Sequence, residues 1–160
     1  MVEIVNDILT QFGQRIVDEL VNDIQNKQVT KYGAVNASGN LAKSIRYEVK
    51  DGQLLVYAND YIYYLVYGRQ PGKFPPREAI IQWIKDKPIQ SDLPINSLAF
   101  LIQRKISRQG TLIYEQGGSD LLSGVINQQL ISDLTSELFT GIVDASVTYI
   151  RSNILPSIAA

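Results

Sequence analysis

The stretch that most constrains the fold is residues 2–28, where apolar side chains recur at Ile4, Ile8, Phe12, Ile16, Leu20 and Ile24. A second row runs through Val5, Leu9, Val17 and Val21. Recurrence every three to four residues is the mark of an amphipathic helix. Its phase is unusual. The apolar set 16, 17, 20, 21 and 24 repeats the set 4, 5, 8, 9 and 12 after twelve residues. At ~100° per residue, twelve residues leave a rotation of about 120°. One flat contact cannot bury both halves of a straight helix. Either the helix bends, with Gly13 as the candidate site, or each half packs on a different body. The second is favoured, with a neighbouring copy of the chain expected to supply the other body; Gly13 serves either arrangement.

Residues 27–40, KQVTKYGAVNASGN, are rich in Gly, Asn, Ser and Thr without a period and read as a loop. NLAKSI adds a helical turn, capped by Ser38 or Asn40. The strongest β signal follows. SIRYEVK (44–50) and QLLVYA (53–58) flank Asp51-Gly52, the two-residue sequence of a type I′ hairpin turn. Ile45, Tyr47 and Val49 alternate with Arg46, Glu48 and Lys50, which makes one face buried and one wet. A lone two-stranded hairpin is marginal, so further strands, or the same hairpin of an adjacent subunit, are expected to extend it.

NDYIYYLVYG is ambiguous. Its aromatic and β-branched content suits a strand, whereas Asp60 as N-cap and Gly68 after the last turn suit a short helix. Pro71-Gly72 marks a turn, and Pro75-Pro76 opens the next helix, which is expected to bury Ile80, Trp83 and Ile84 and to end at Pro88. Residues 95–107 give a helix with Leu98, Leu101, Ile102 and Ile106 inward and Arg104, Lys105 and Arg108 outward. TLIY (111–114) suits a short strand. From about Asp120 to Asn153 the chain reads as mostly helical, with Ile131, Leu134, Leu138, Ile142, Ala145 and Tyr149 inward, Gly124 and Gly141 as weak points and Pro156 as the stop. The sum is an α+β fold. An antiparallel sheet, centred on the hairpin 44–58, packs against long N- and C-terminal helices in a single domain spanning 1–160.

Two absent residue types narrow the chemistry. With no cysteine and no histidine, disulfides, thiolate nucleophiles, Ser-His-Asp triads and zinc sites built on imidazole or sulfur are excluded. A metal would need carboxylates alone, and the sixteen acidic residues are scattered, without an Asp-x-Asp cluster or a calcium loop. No catalytic, cofactor-binding or metal-ligating residue is therefore assigned, and an enzyme is not expected. No apolar run approaches the ~20 residues that cross a bilayer, and the start Met1-Val2-Glu3 is unlike an export signal, so a soluble chain with no membrane partner is expected.

Charge is partitioned along the chain. Residues 1–26 hold one basic residue against five acidic, residues 27–108 thirteen basic against six acidic, and residues 109–160 one basic against five acidic. Acidic ends flank a basic middle, the pattern expected where unlike segments of neighbouring copies attract or where a basic face meets an acidic partner. The most distinctive part of the middle is YIYYLVYGRQPGKFPPREAIIQWIKDK, residues 61–87. Its glycines and lysine suggest a phosphate loop. Yet Gly68 and Gly72 enclose only three residues, and Phe74 stands where the required Ser or Thr would be. Tyr, Phe and Arg are favoured at protein interfaces, so Tyr63, Tyr67, Arg69, Lys73, Phe74 and Arg77 are the candidate interface residues. The alternative is a nucleic-acid-binding accessory protein that uses segment 27–108 by stacking and charge. A sequence pI of 5.4 weighs against a dedicated binder.

Three segments in order, ASGNLAKSIRYEV, then residues 61–87, then LAFLIQRKISRQGT, resemble the tail-completion (minor tail protein Z-like) family of tailed bacteriophages. The resemblance spans roughly residues 37–111. Ala37 stands where the family has Thr, and beyond these segments the chain is similar only in being helical. What the resemblance implies is structural work in the virion, assembled in the bacterial host cytoplasm. The subunit would form a homo-oligomeric ring at the phage neck or tail top that completes the tail or joins it to the head. Its partners would be other neck, portal-proximal or tail-tube proteins, with genomic DNA touched at most non-specifically in the channel. Gly68, Arg69, Pro71, Gly72, Lys73, Pro75 and Pro76 match the family motif, and the resemblance gives them no catalytic role. Loops 27–40 and 69–76 are expected to order on assembly.

Overall fold

The computed structural model describes residues 2–30, 33–34, 39–87 and 89–154. Its elements in chain order are helix α1 (Val2–Asn26), strands β1 (Gln28–Thr30) and β2 (Gly33–Ala34), helix α2 (Asn40–Ser44), strands β3 (Arg46–Lys50) and β4 (Gln53–Tyr57), and helices α3 (Tyr61–Val66), α4 (Arg77–Asp86), α5 (Ile95–Gln109), α6 (Leu112–Glu115), α7 (Leu121–Val125) and α8 (Gln128–Tyr149). Helix α8 runs on into a π-helical turn, Ile150–Ile154. The fold is α+β, with long helices at both ends, as the periodicity implies.

The chain forms two compact units. The first comprises Met1–Glu19, Arg46–Tyr57 and Ser123–Ala160, and the second Leu20–Ile45 and Ala58–Leu122. Helix α1 therefore contributes its first eighteen described residues to one unit and its last turns to the other. Leu9, Phe12 and Ile16 are buried in the first, Leu20 and Ile24 in the second. The division falls after Glu19 and not at Gly13, so Ile16, read with the second half of the helix, is buried in the same unit as Leu9 and Phe12.

In the first unit the β-hairpin lies against α1. Strands β3 and β4 pair antiparallel from Arg46 opposite Tyr57 to Lys50 opposite Gln53, closed by Asp51 (φ 52°) and Gly52 (φ 71°) in the left-handed turn the sequence anticipates. The alternation also holds, with Arg46, Glu48 and Lys50 exposed and Tyr47 and Val49 half-buried. Across the wet face, the Arg46 guanidinium sits 4.7 Å above the Tyr57 ring, and the Tyr57 hydroxyl donates to Glu48 at 3.3 Å. No further strand of the same chain extends the hairpin: among the described residues β3–β4 is a two-stranded sheet, as is β1–β2. Packing on a helix is the other way to stabilise a hairpin, and Gly13 provides it. A Cβ at Gly13 would stand 2.7 Å from Leu54 Cδ1 and 2.8 Å from Tyr47 Cγ, closer than carbon atoms approach. Glycine is needed there for close approach.

Helix α8 packs in the same unit. The Asn127 side chain accepts from the Leu130 N–H at 3.0 Å and caps its start. Gly141 again marks a close approach, since a Cβ there would stand 2.9 Å from Ile8 Cδ1 and 3.2 Å from Ile4 Cγ2 of α1. Arg15 on α1 bonds Glu19 at 3.0 Å and reaches Asp133 on α8 at 3.5 Å. The inward side of α8 is Leu130, Leu134, Leu138, Gly141 and Ala145. Here the sequence expectation is corrected by about one position: Ile131, Ile142 and Tyr149 are exposed. The small Gly141 decides the rotation, because it lets α1 approach along its own side of α8.

In the second unit, TLIY is not a strand. Thr111 caps the short helix α6, its hydroxyl accepting from the Tyr114 N–H, and Ile113 is buried. NDYIYYLVYG resolves to helix α3, followed by Gly68 at φ 74°. Asp60 makes no side-chain cap; the Asn59 side chain accepts from the Tyr61 N–H at 3.2 Å instead. Helix α4 buries Ile84 alone, with Ile80 and Trp83 half-buried, and its N-cap position is Pro76. Helix α5 buries Ala99 and Gln103 and leaves Leu101 exposed, against the stripe expected from spacing. Lys27, after α1, pairs with Asp23 at 3.3 Å and with Asp120 at 3.0 Å. The helix stops assigned to Pro88 and Pro156, the cap Ser38, and most of the loop read between residues 31 and 38 lie outside the described residues.

Candidate functional site

The connection from α3 to α4, residues 67–76, lies along helix α5 and its cap in antiparallel sense, held at three successive points. Arg69 N–H donates to the Thr111 hydroxyl at 2.9 Å, and Thr111 N–H returns a bond to the Arg69 carbonyl, also at 2.9 Å. Gly72 N–H donates to the Ser107 carbonyl at 2.8 Å. Gln103 Nε2 donates to the Pro75 carbonyl at 2.7 Å. The partners recur every four residues along 103, 107 and 111 and every three along 75, 72 and 69. Four helical residues rise about 6 Å and three fully extended ones span about 10 Å, so the connection runs less than fully extended beside α5. Gly68 makes the entry possible, because a Cβ there would overlap the Tyr114 backbone, 2.7 Å from its Cα. These bonds hold the backbone of residues 69–76 against α5 and its cap within the subunit.

This anchoring turns side chains outward. Tyr63 and Tyr67 are 59% and 57% exposed, and their ring centroids are 4.9 Å apart. Tyr64 meets the Tyr63 ring edge-on at 5.8 Å, and the Arg69 guanidinium lies 5.8 Å from the Tyr64 centroid. A guanidinium at that distance from a tyrosine face is held by the ring quadrupole. Arg69 also donates weakly to the Phe74 carbonyl at 3.5 Å. Phe74 is 51% exposed and stacks on Phe100, itself 50% exposed, at 6.3 Å and 24° between planes. Lys73 is exposed at the loop tip. Arg77 opens α4 and donates from Nη2 to the Asn96 carbonyl at 3.3 Å. That bond offsets the unfavourable position of a cation in the first turn of a helix.

Beside Arg77 lies a shallow, open groove of about 340 Å³, lined by Arg77, Leu93, Asn96, Ser97, Phe100 and Leu101. It is too open to enclose most of a small ligand, as cofactor and substrate pockets do. All six candidate residues therefore lie on or beside the α3–α4 connection, with Arg77 forming one wall of the groove. Leu93, Phe100 and Leu101, which complete the surface, escaped the sequence reading. The available signal was Phe100, a large aromatic outside the apolar stripe drawn for residues 95–107. Among the described residues, Arg69, Lys73 and Arg77 sit in no ion pair, since the pairs there involve Arg15 and Lys27.

Among the described residues, no group of three or more acidic side chains is placed to hold a metal ion, and no helix is long and apolar enough to cross a membrane. Comparison of the chain with protein-family models, with curated proteins and with solved structures found no match in any of the three.

Proposed function

We propose that this protein is a structural subunit that self-associates head to tail, and that the assembly is a ring at the neck or tail top of a tailed phage. The observation that carries the self-association is the surface at residues 63–77. It brings three cations without acidic partners among the described residues, together with exposed aromatics, onto a backbone fixed by hydrogen bonds to α5. A rigid surface loses little conformational entropy on docking, and its aromatic and arginine content is that of interface hot spots. A ring closes through heterologous contacts, in which one surface meets a different surface of the next copy. Acidic ends and a basic middle supply two such unlike surfaces. The virion setting rests on the resemblance of residues 37–111 to the tail-completion family. The neighbours would be neck, portal-proximal or tail-tube proteins.

The test is the mass of the purified protein in solution, followed by low-resolution imaging for rings. Replacing Arg69, Lys73 and Arg77 together by Glu is expected to abolish assembly while leaving the far-UV circular dichroism of the subunit unchanged. Normal assembly by that variant overturns the reading. A second reading is single-stranded nucleic-acid binding, favoured by the exposed tyrosines beside Arg69. Binding that weakens linearly in log–log salt plots, with a slope set by the phosphates neutralised, would select it.

A further inference from the structure

Helix α8 carries a second apolar stripe on the side away from its packed face. Phe139, Val143, Val147 and Ile150 are 71%, 40%, 39% and 45% exposed. At ~100° per residue these four fall within an arc of about 80°, the width of a helix face that seats in a groove. Glu137 and Asp144 lie together about 60–80° beyond one edge of the stripe, and α8 carries three acidic residues and no basic one. Of the three, Asp133 already has a partner in Arg15. Glu137 and Asp144 are exposed and unpaired among the described residues.

The groove beside Arg77 has the complementary character. Its floor is Phe100, Leu101 and Leu93, and its wall is a guanidinium of which only one donor is committed, to Asn96. Residues 69–108 around it hold eight basic residues against three acidic. Resting on the head-to-tail reading above, we infer that the α8 stripe of one copy seats in the Arg77–Phe100–Leu101 groove of the next, with Glu137 and Asp144 facing Arg77 and its basic surroundings. Charge decides between the two ways a second copy could cover α8. Pairing α8 with α8 sets unpaired carboxylates against carboxylates, which repels. Pairing it with the groove sets them against cations and covers two exposed apolar faces at once.

The absence of cysteine from the chain makes a site-directed test clean. Leu101→Cys is prepared alone, and Phe139→Cys, Val143→Cys and Val147→Cys are each prepared alone, so that a one-turn error in register is covered. All four positions are exposed, and circular dichroism checks that each variant folds. Under mild oxidation, mixtures of Leu101→Cys with at least one stripe variant are expected to give cross-linked heterodimers, because a disulfide needs Cα atoms within about 7 Å. Arg77→Glu is expected to weaken self-association about tenfold or more. Oligomers with no 101–stripe cross-link, or with stripe–stripe cross-links in their place, overturn this pairing and leave the ring reading standing. A protein that stays monomeric at every concentration overturns both.

Discussion

Gln103 on α5 donates its side-chain amide to the Pro75 carbonyl at 2.7 Å, and both residues are buried. Gln103 is the polar residue in a core otherwise built of Leu, Ile, Val, Phe and Ala among the described residues. Its position is explained by what it holds. A buried backbone carbonyl needs a donor, and Gln103 supplies one to Pro75. The middle and far end of the same loop are held by Ser107 and Thr111, which makes the candidate surface a splinted segment.

Gln103→Leu removes the donor and leaves a buried carbonyl unpaired. An unmatched buried acceptor costs about 1–3 kcal/mol. The expected result is a lower urea midpoint together with faster amide exchange at Gly72, the next anchored residue. Unchanged exchange there would show that the ladder does not act as a unit.

Gly13→Ala separates two opposite expectations. On an isolated helix the change is favourable by roughly 0.8–1 kcal/mol. Here the new methyl meets Tyr47 and Leu54 of the hairpin, and overpacking of this kind costs about 1–3 kcal/mol. A net loss of stability in thermal unfolding is expected. A gain would mean that the hairpin does not lie against α1.

The Lys27 pair gives a pH dependence of known sign. The hydrogen bond from Lys27 holds the Asp120 carboxyl below its ordinary value, and the hydrogen bond to Asp120 is the largest cause raising Lys27. A depressed carboxyl contributes stability above its unfolded value, and that contribution disappears as pH falls through the lowered one. A raised lysine contributes below its unfolded value and loses the contribution as pH climbs through the raised one. Asp120→Asn should therefore reduce stability between these two limits and leave it unchanged below the lowered carboxyl value. Because Asp120 is well exposed, the loss is expected under about 1 kcal/mol and to shrink in high salt. Denaturation of both proteins across the range checks it.

Phe74→Ala and Phe100→Ala probe the surface without touching the core. Both rings are about half exposed, so each change should alter folding stability by less than about 0.5–1 kcal/mol. Each should nevertheless weaken self-association measurably by sedimentation, with a double mutant losing less than the sum, because the rings stack on each other. Equal losses in folding and in association would assign the pair to the subunit's own stability.

Much of the local structure was legible in the chain. The period of residues 2–28 specifies helix α1, and Asp51-Gly52 specifies the hairpin and its turn. Spacing of Gly and Pro around residue 70 also located the connection between α3 and α4. These features are local, set by the conformations each residue allows and by hydrophobic repeat. What the tertiary structure alone decided is which surface covers which. It made Gly13 a site of close approach, turned α8 so that Ile131 and Ile142 face out, made TLIY a capped helical turn, and laid residues 69, 72 and 75 along 111, 107 and 103. A repeat in the sequence reports the direction a side chain leaves the backbone. The atoms that meet it come from tens of residues away, and their fit, down to a single missing methyl at Gly13 or Gly141, is settled only when those segments pack.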